Sequence, residues 1–282
     1  MSKNEIILSG GSIPWLGIKQ ALNYSIDTGY DGLEILPTRT VIRELESVIK
    51  IYREDRWADY FSNLKLIKGI HQNWRLDIGL DKEYKINLLW SLFFTIIRVL
   101  LFPKTDRSKK IIRIISEKLH LPVTVHDISK EWTHDDNEFS GGIFYEIIST
   151  KRRNPVEIKE WLIKKQHKIV VDTRNDQSLS WAKHYGFQNW KSFWEWIGLQ
   201  NIGGIQLTLI GASGLKKILN HKLSTAEKQF LWLHKQKWNG TVTVEINPLM
   251  LFFVSRGRMK QGLQTIATFV RQTVGDGKNW SS

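Results

Sequence analysis

The sequence predicts an α/β protein, a single (β/α)8 barrel of the TIM type, on three observations. Runs of β-branched or aliphatic residues, each of strand length, recur along the chain with helical patterns between them. Six of these runs bring an acid or a histidine toward their C-terminal part: Glu34 in GYDGLEILP, His71 in LIKGIHQNW, His126 in PVTVHDI, Glu146 in GGIFYEII, Asp172 in KIVVDTRN and Glu245 in TVTVEINP. At 282 residues the chain is the size of one such barrel and long for a simple sandwich. In a closed parallel barrel all strand C-termini open on one face, so these six side chains would share one mouth.

The first strand is expected at 6–9, followed by Gly10, Gly11 and Ser12, a loop that lets a ligand come close. Pro14 opens a helix whose apolar positions Trp15, Ile18, Leu22 and Ile26 keep a helical period; Gly29 ends it, and the second strand covers 30–36. A second helix carries Val41, Leu45, Val48, Ile49 and Tyr52, and the third strand covers 66–70. Then comes 87–102, NLLWSLFFTIIRVLLF, almost wholly apolar but short of the roughly twenty residues that span a bilayer. Its exceptions Asn87, Ser91, Thr95 and Arg98 form one narrow polar stripe, which reads as a buried barrel helix. A dimer contact and, less favoured, a membrane-surface helix are the alternatives for this segment.

A basic stretch at 104–113 merges into a helix ending near Leu119, and Pro122 starts the fourth strand. The loop EWTHDDNEFSGG holds His134, Asp135 and Asp136, but adjacent residues point in different directions, so it reads as solvated and not as a metal site. The fifth strand is expected at 143–148. Asn154, Pro155 and Glu157 supply the cap, first and third positions of a helix that runs through Ile158, Trp161 and Leu162 to the strand at Lys168. A Trp-rich helical stretch at 179–197 precedes the seventh strand at 204–209, and the Gly-rich turn at 211–215 resembles a phosphate cradle before a helix. His221 lies in a long connection, a helix covers 225–235, the eighth strand covers 241–246, and a last helix carries Leu263, Ile266 and Val270. One domain, 1–275, with a frayed tail at 276–282, is the expected organisation.

A hydrophobic share of 41% is enough for a sizeable core. Many of the 13 Trp residues, among them Trp161, Trp181, Trp190, Trp194, Trp196, Trp232 and Trp238, lie in helical patterns, where helix-to-barrel packing is expected ahead of ligand stacking. The absence of cysteine excludes a disulfide framework, thiolate metal ligands and a cysteine nucleophile, and the cytoplasm is the default location. The start, MSKNEIILSGG, lacks the layout of a signal peptide. A net charge of +13 favours anionic partners such as phosphorylated metabolites, nucleic acid or an acidic membrane surface, although pairs such as Lys164-Lys165 and Lys216-Lys217 read as solvated helix faces.

Eight strands with acids or histidines at the ends of the second, third, fourth, fifth, sixth and eighth resemble the xylose isomerase-like barrel superfamily. That group holds sugar and sugar-phosphate isomerases and epimerases and the apurinic-site endonucleases of the endonuclease IV type. The pieces that carry the resemblance are GYDGLEI with Glu34, VVDTRN with Asp172, and HKLSTAEKQFLWLHKQKWNGTVTVEINP, from His221 to Glu245. In epimerase-type members a metal is held by Glu, Asp, His and Glu on strands five to eight, which implies Glu146, Asp172 and Glu245 here, with Gln206 where imidazole is expected. In the endonuclease branch further ligands are histidines on strands three and four and a third just after the strand-six Asp. His71 and His126 match the first two, and Asn175 stands at the last position. Amides in place of imidazole favour an oxygen-rich site for Mn²⁺ or Mg²⁺ over Zn²⁺.

The resemblance implies a metal-dependent isomerase or epimerase acting on a sugar or sugar phosphate. Glu146 and Glu245 would exchange a proton next to the substrate carbonyl, with Asp172 on the metal and His71 orienting hydroxyl groups. Glu34, His126, Arg174, Asn175 and His221 would contact the substrate, and Arg174 or the 211–214 turn would take an anionic group. Phosphodiester chemistry on damaged DNA, or a degenerate binding barrel without metal, are the alternatives. A homo-oligomer through 87–102 goes with the last.

Overall fold

The computed structural model describes residues 4–51, 65–71, 105–126, 141–146, 156, 159–160, 163–164, 167–173, 186–209, 224–246 and 255–278. Eight parallel strands close into a barrel in sequence order: β1 (Glu5–Ser9), β2 (Gly32–Ile35), β3 (Ile67–His71), β4 (Val123–His126), β5 (Ile143–Glu146), β6 (Lys168–Asp172), β7 (Ile202–Leu209) and β8 (Thr241–Ile246), with β8 returning to pair β1. The (β/α)8 TIM barrel expected from the alternating pattern is therefore the fold. The described helices are α1 (Ile18–Asp27), α2 (Arg39–Ile51), α3 (Thr105–Leu119), α4 (Trp190–Ile197), α5 (Ser224–Lys235) and α6 (Arg256–Val270).

Strand alternation divides the sheet into two faces. One face is aliphatic: Ile6, Leu8, Leu33, Ile35, Val123, Val125, Ile169, Val171, Ile205, Leu207, Val242 and Val244 are all buried and belong to one core with the helix residues Ile18, Ile42, Ile115, Phe193, Phe230 and Leu263. Such a belt supplies most of the fold's stability, since fully burying one of these side chains contributes about 1.5–3 kcal/mol.

The tryptophans follow the packing expectation where they are described. Trp194 is fully buried and meets the rings of Trp190 and Trp232 at 5.0 and 5.9 Å, while Trp238 is buried and donates its indole N–H to Ile202 O at 3.1 Å. Trp15 departs from it. The first helix begins at Ile18, not at Pro14, and Trp15 stands 48% exposed in the connection after β1. Its N-terminal amides are satisfied from a distance, as Ile18 N–H donates to Glu44 of α2 at 2.6 Å. At the other boundary of the Trp-rich stretch, Asn189 and Ser192 form a reciprocal capping box that opens α4.

Glycine is required where β2 lies against β3: a Cβ on Gly32 would run into the Leu66 carbonyl and the Lys68 side chain. Among the described residues no helix is long and apolar enough to cross a membrane. The 87–102 segment, the loop holding His134 to Asp136, the 211–215 turn and the residues 279–282 of the expected tail lie outside the described residues.

Candidate functional site

The strand register decides which side chains share the mouth. Glu34 stands beside Ser9 and Gly69, His71 beside Thr124, Glu146 beside His126 and Val170, Asp172 beside Gln206, and Glu245 beside Thr208. Residues in register, and alternate residues along a strand, lie on one face of the sheet. Two hydrogen bonds show that this face is the lumen. His71 Nε2 on β3 lies 3.1 Å from Glu146 Oε2 on β5, and Thr124 on β4 donates to Glu34 Oε1 on β2 at 3.3 Å. Each skips a strand, which is feasible only across the barrel interior.

Glu34, His71, Glu146, Asp172, Gln206 and Glu245 are each 5% exposed or less. Interior positions of a barrel are ordinarily filled by bulky apolar side chains, and burying charge is costly unless it is paired or shared. Gln206 meets part of that cost by donating its amide N–H to Glu245 Oε2. Burial pushes the Glu245 carboxyl up from 4.5 to about 7, with His71 opposing the rise and the negative charges of Glu146, Asp172 and Glu34 adding to it. Glu245 therefore feels all four of these groups, and Glu34, His71, Glu146, Asp172 and Glu245 form one electrostatic unit.

The turn after β1 builds the floor beside Glu245. Ser9 caps the short 3-10 turn Gly10–Ser12 by accepting from Gly11 N–H, and the fully buried Ser12 hydroxyl accepts from Ile246 N–H at 2.8 Å. A Cβ on Gly11 would sit 3.0 Å from Glu245 Oε1, so the backbone here touches the carboxylate's edge.

Of the residues singled out from the sequence, Glu34, His71, Glu146, Asp172, Gln206 and Glu245 are brought together. His126 lies in register with Glu146, and its side chain is outside the described residues, as are Arg174, Asn175 and His221. Sequence reading passed over Thr124 and Thr208, and read Ser12 only as part of a loop that a ligand could approach. The signal for the first two was available: Thr124 is two residues before His126, and Thr208 two after Gln206, on the same strand face.

The donor chemistry fits a hard divalent cation, because three carboxylates that repel one another, with an imidazole beside them, are what such an ion would neutralise. A finished shell is not present among the described residues, where no three His, Asp or Glu side chains converge closely enough to hold an ion. His71 and Glu146 face each other, and Gln206 presents its amide nitrogen to Glu245.

The eight parallel strands and their polar lumen make a closed (β/α)8 barrel of the TIM type, and its fold is shared with solved structures. A xylose isomerase domain containing protein from Salmonella typhimurium LT2 superposes on 96% of this chain and 100% of its own, with a TM-score of 0.57 at 12% identity. An L-ribulose 3-epimerase aligns over 97% of this chain and 94% of its own, at a TM-score of 0.41 and 13% identity. No family profile and no curated protein matches the sequence. At these identities the likeness is one of fold.

Proposed function

We propose that the protein is an isomerase or epimerase that moves a proton at the carbon next to the carbonyl of a sugar or sugar phosphate, using Glu146 and Glu245. The observation that carries this reading is the pair itself: two buried glutamates on the lumen face, three strands apart around an eight-strand barrel, one of them raised to about 7. A group with that proton affinity is divided between its acid and base forms at neutral pH, as an acid/base catalyst must be. Glu245 takes the proton from, or returns it to, one face of the substrate carbon, and Glu146 acts on the other. The contact between His71 Nε2 and Glu146 Oε2 orients that carboxylate. Gln206 holds the Glu245 carboxylate toward the lumen, and Glu34, which accepts from Thr124 on the same lumen face, lies where substrate hydroxyls would bind.

A divalent ion, Mn²⁺ or Mg²⁺ before Zn²⁺, would be held by Glu146, Asp172 and Glu245 with Gln206. Its contribution when bound is positive charge against the oxygen that becomes negative as the proton leaves. Metal content by mass spectrometry, on protein purified without chelator, tests the reading together with Glu245→Gln and Asp172→Asn variants. About one equivalent in the wild type, lost in both variants, is the expected result. A wild type that carries none and takes up none from added Mn²⁺ overturns the metal-dependent form of the proposal and favours a degenerate binding barrel.

A further inference from the structure

Thr208 occupies a place in the lumen that the acid/base scheme leaves unused. It lies on β7 in register with Glu245, two residues beyond Gln206 and so on the same face, one step nearer the mouth. Its hydroxyl oxygen is shut off from solvent and makes no hydrogen bond among the described residues. That is unusual for a buried hydroxyl, because such groups almost always find a partner in the folded chain. On the same face of β7, by contrast, Gln206 donates to Glu245.

A hydroxyl without a partner among the described residues, inside a polar lumen, is a local departure from good packing, and such departures concentrate where a ligand completes them. The side chain is also able to answer a ligand cheaply. Threonine has two branches at Cβ, and one rotamer step exchanges hydroxyl and methyl and so re-aims the oxygen. We propose that Thr208 is a substrate-contacting residue whose hydroxyl bonds an oxygen of the sugar or sugar phosphate held between Glu146 and Glu245. This rests on the isomerase reading of the same site.

Thr208→Val keeps the shape and deletes the hydroxyl, and Thr208→Ser keeps the hydroxyl. A hydroxyl that bonds only ligand predicts that Thr208→Val unfolds in denaturant at the same or a higher midpoint than the wild type, because no internal hydrogen bond is lost. Titration with D-fructose, D-xylulose and their phosphates, read as the shift in melting temperature, is expected to show affinity reduced about tenfold in Thr208→Val and retained in Thr208→Ser. A lowered unfolding midpoint in Thr208→Val would mean that the hydroxyl has a structural partner, and would overturn the inference. So would equal protection of the wild type and Thr208→Val by a ketose, which leaves the isomerase reading intact. A wild type that none of these ketoses protects overturns the reading of the site itself, and the inference with it.

Discussion

The two faces of one strand contrast sharply on β8. Val244 is completely buried in the aliphatic belt under the helices, and Glu245, the next residue, is equally hidden but faces the lumen with a carboxylate that holds its proton up to about pH 7. Burial on the outer face stabilises the fold, whereas burial on the inner face costs stability and raises the proton affinity of a carboxyl. The belt of Ile, Leu and Val around the barrel is what lets the lumen keep four carboxylates. Stability and chemistry are thus divided by a period of two residues along the same strands.

That contrast can be broken from either side, and β7 offers the largest effect. Ile205, fully buried on the outer face, is expected to cost about 2–5 kcal/mol when replaced by alanine, measured by denaturant unfolding, while leaving the lumen chemistry in place. A loss of less than about 1 kcal/mol would show that the helices close over the gap.

On the inner face, Glu245→Gln is expected to act in the opposite direction and to depend on pH. The native carboxyl keeps its proton up to about pH 7 while the unfolded chain gives it up near 4.5. The native state therefore binds more protons across that window, and wild-type stability falls as pH rises through it. Glutamine lacks this fall, so the variant gains nothing below about pH 4.5 and about 3 kcal/mol above pH 7. Unfolding curves measured from pH 4 to 8 check it, and parallel wild-type and variant profiles would remove the claim that burial raises this group. Loss of proton-transfer activity in the same variant would complete the trade between function and stability.

The smallest expected effect lies where the faces meet. Ser12→Ala removes the acceptor of the buried Ile246 N–H and is expected to cost about 1–3 kcal/mol, read from the denaturation midpoint. Hydrogen exchange at Ile246 should speed up in that variant more than at Val242, two periods of alternation away from the lost contact.

Much of the barrel could be read from local pattern, because apolar runs of strand length separated by helical periods report burial directly. The six strand-end residues were visible for the same reason: a polar residue ending a buried run stands out. Helix starts were harder. Trp15 matched the helical period of Ile18 and Leu22, but α1 begins after Gly17, where Glu44 of α2 receives the Ile18 amide. A cap delivered by a residue 26 positions away leaves no local mark. Thr208 escaped notice, and the bond from Ile246 N–H to Ser12 was not foreseen, because hydroxyls are common on loops and strands and their meaning depends on what stands opposite them.

By itself the sequence determined the succession of strands and helices and the residue types at the strand ends. The face each residue takes, which a one-residue slip would reverse, came from the register of the closed barrel. Only the closed structure decided the pairings within the lumen: His71 with Glu146 from 75 residues away, Gln206 with Glu245, and Thr124 with Glu34 across a strand. It also decided the proton affinity of Glu245. A carboxyl's chemistry depends on the water removed from around it and the charges set beside it, and both are consequences of barrel closure that no local stretch of sequence encodes.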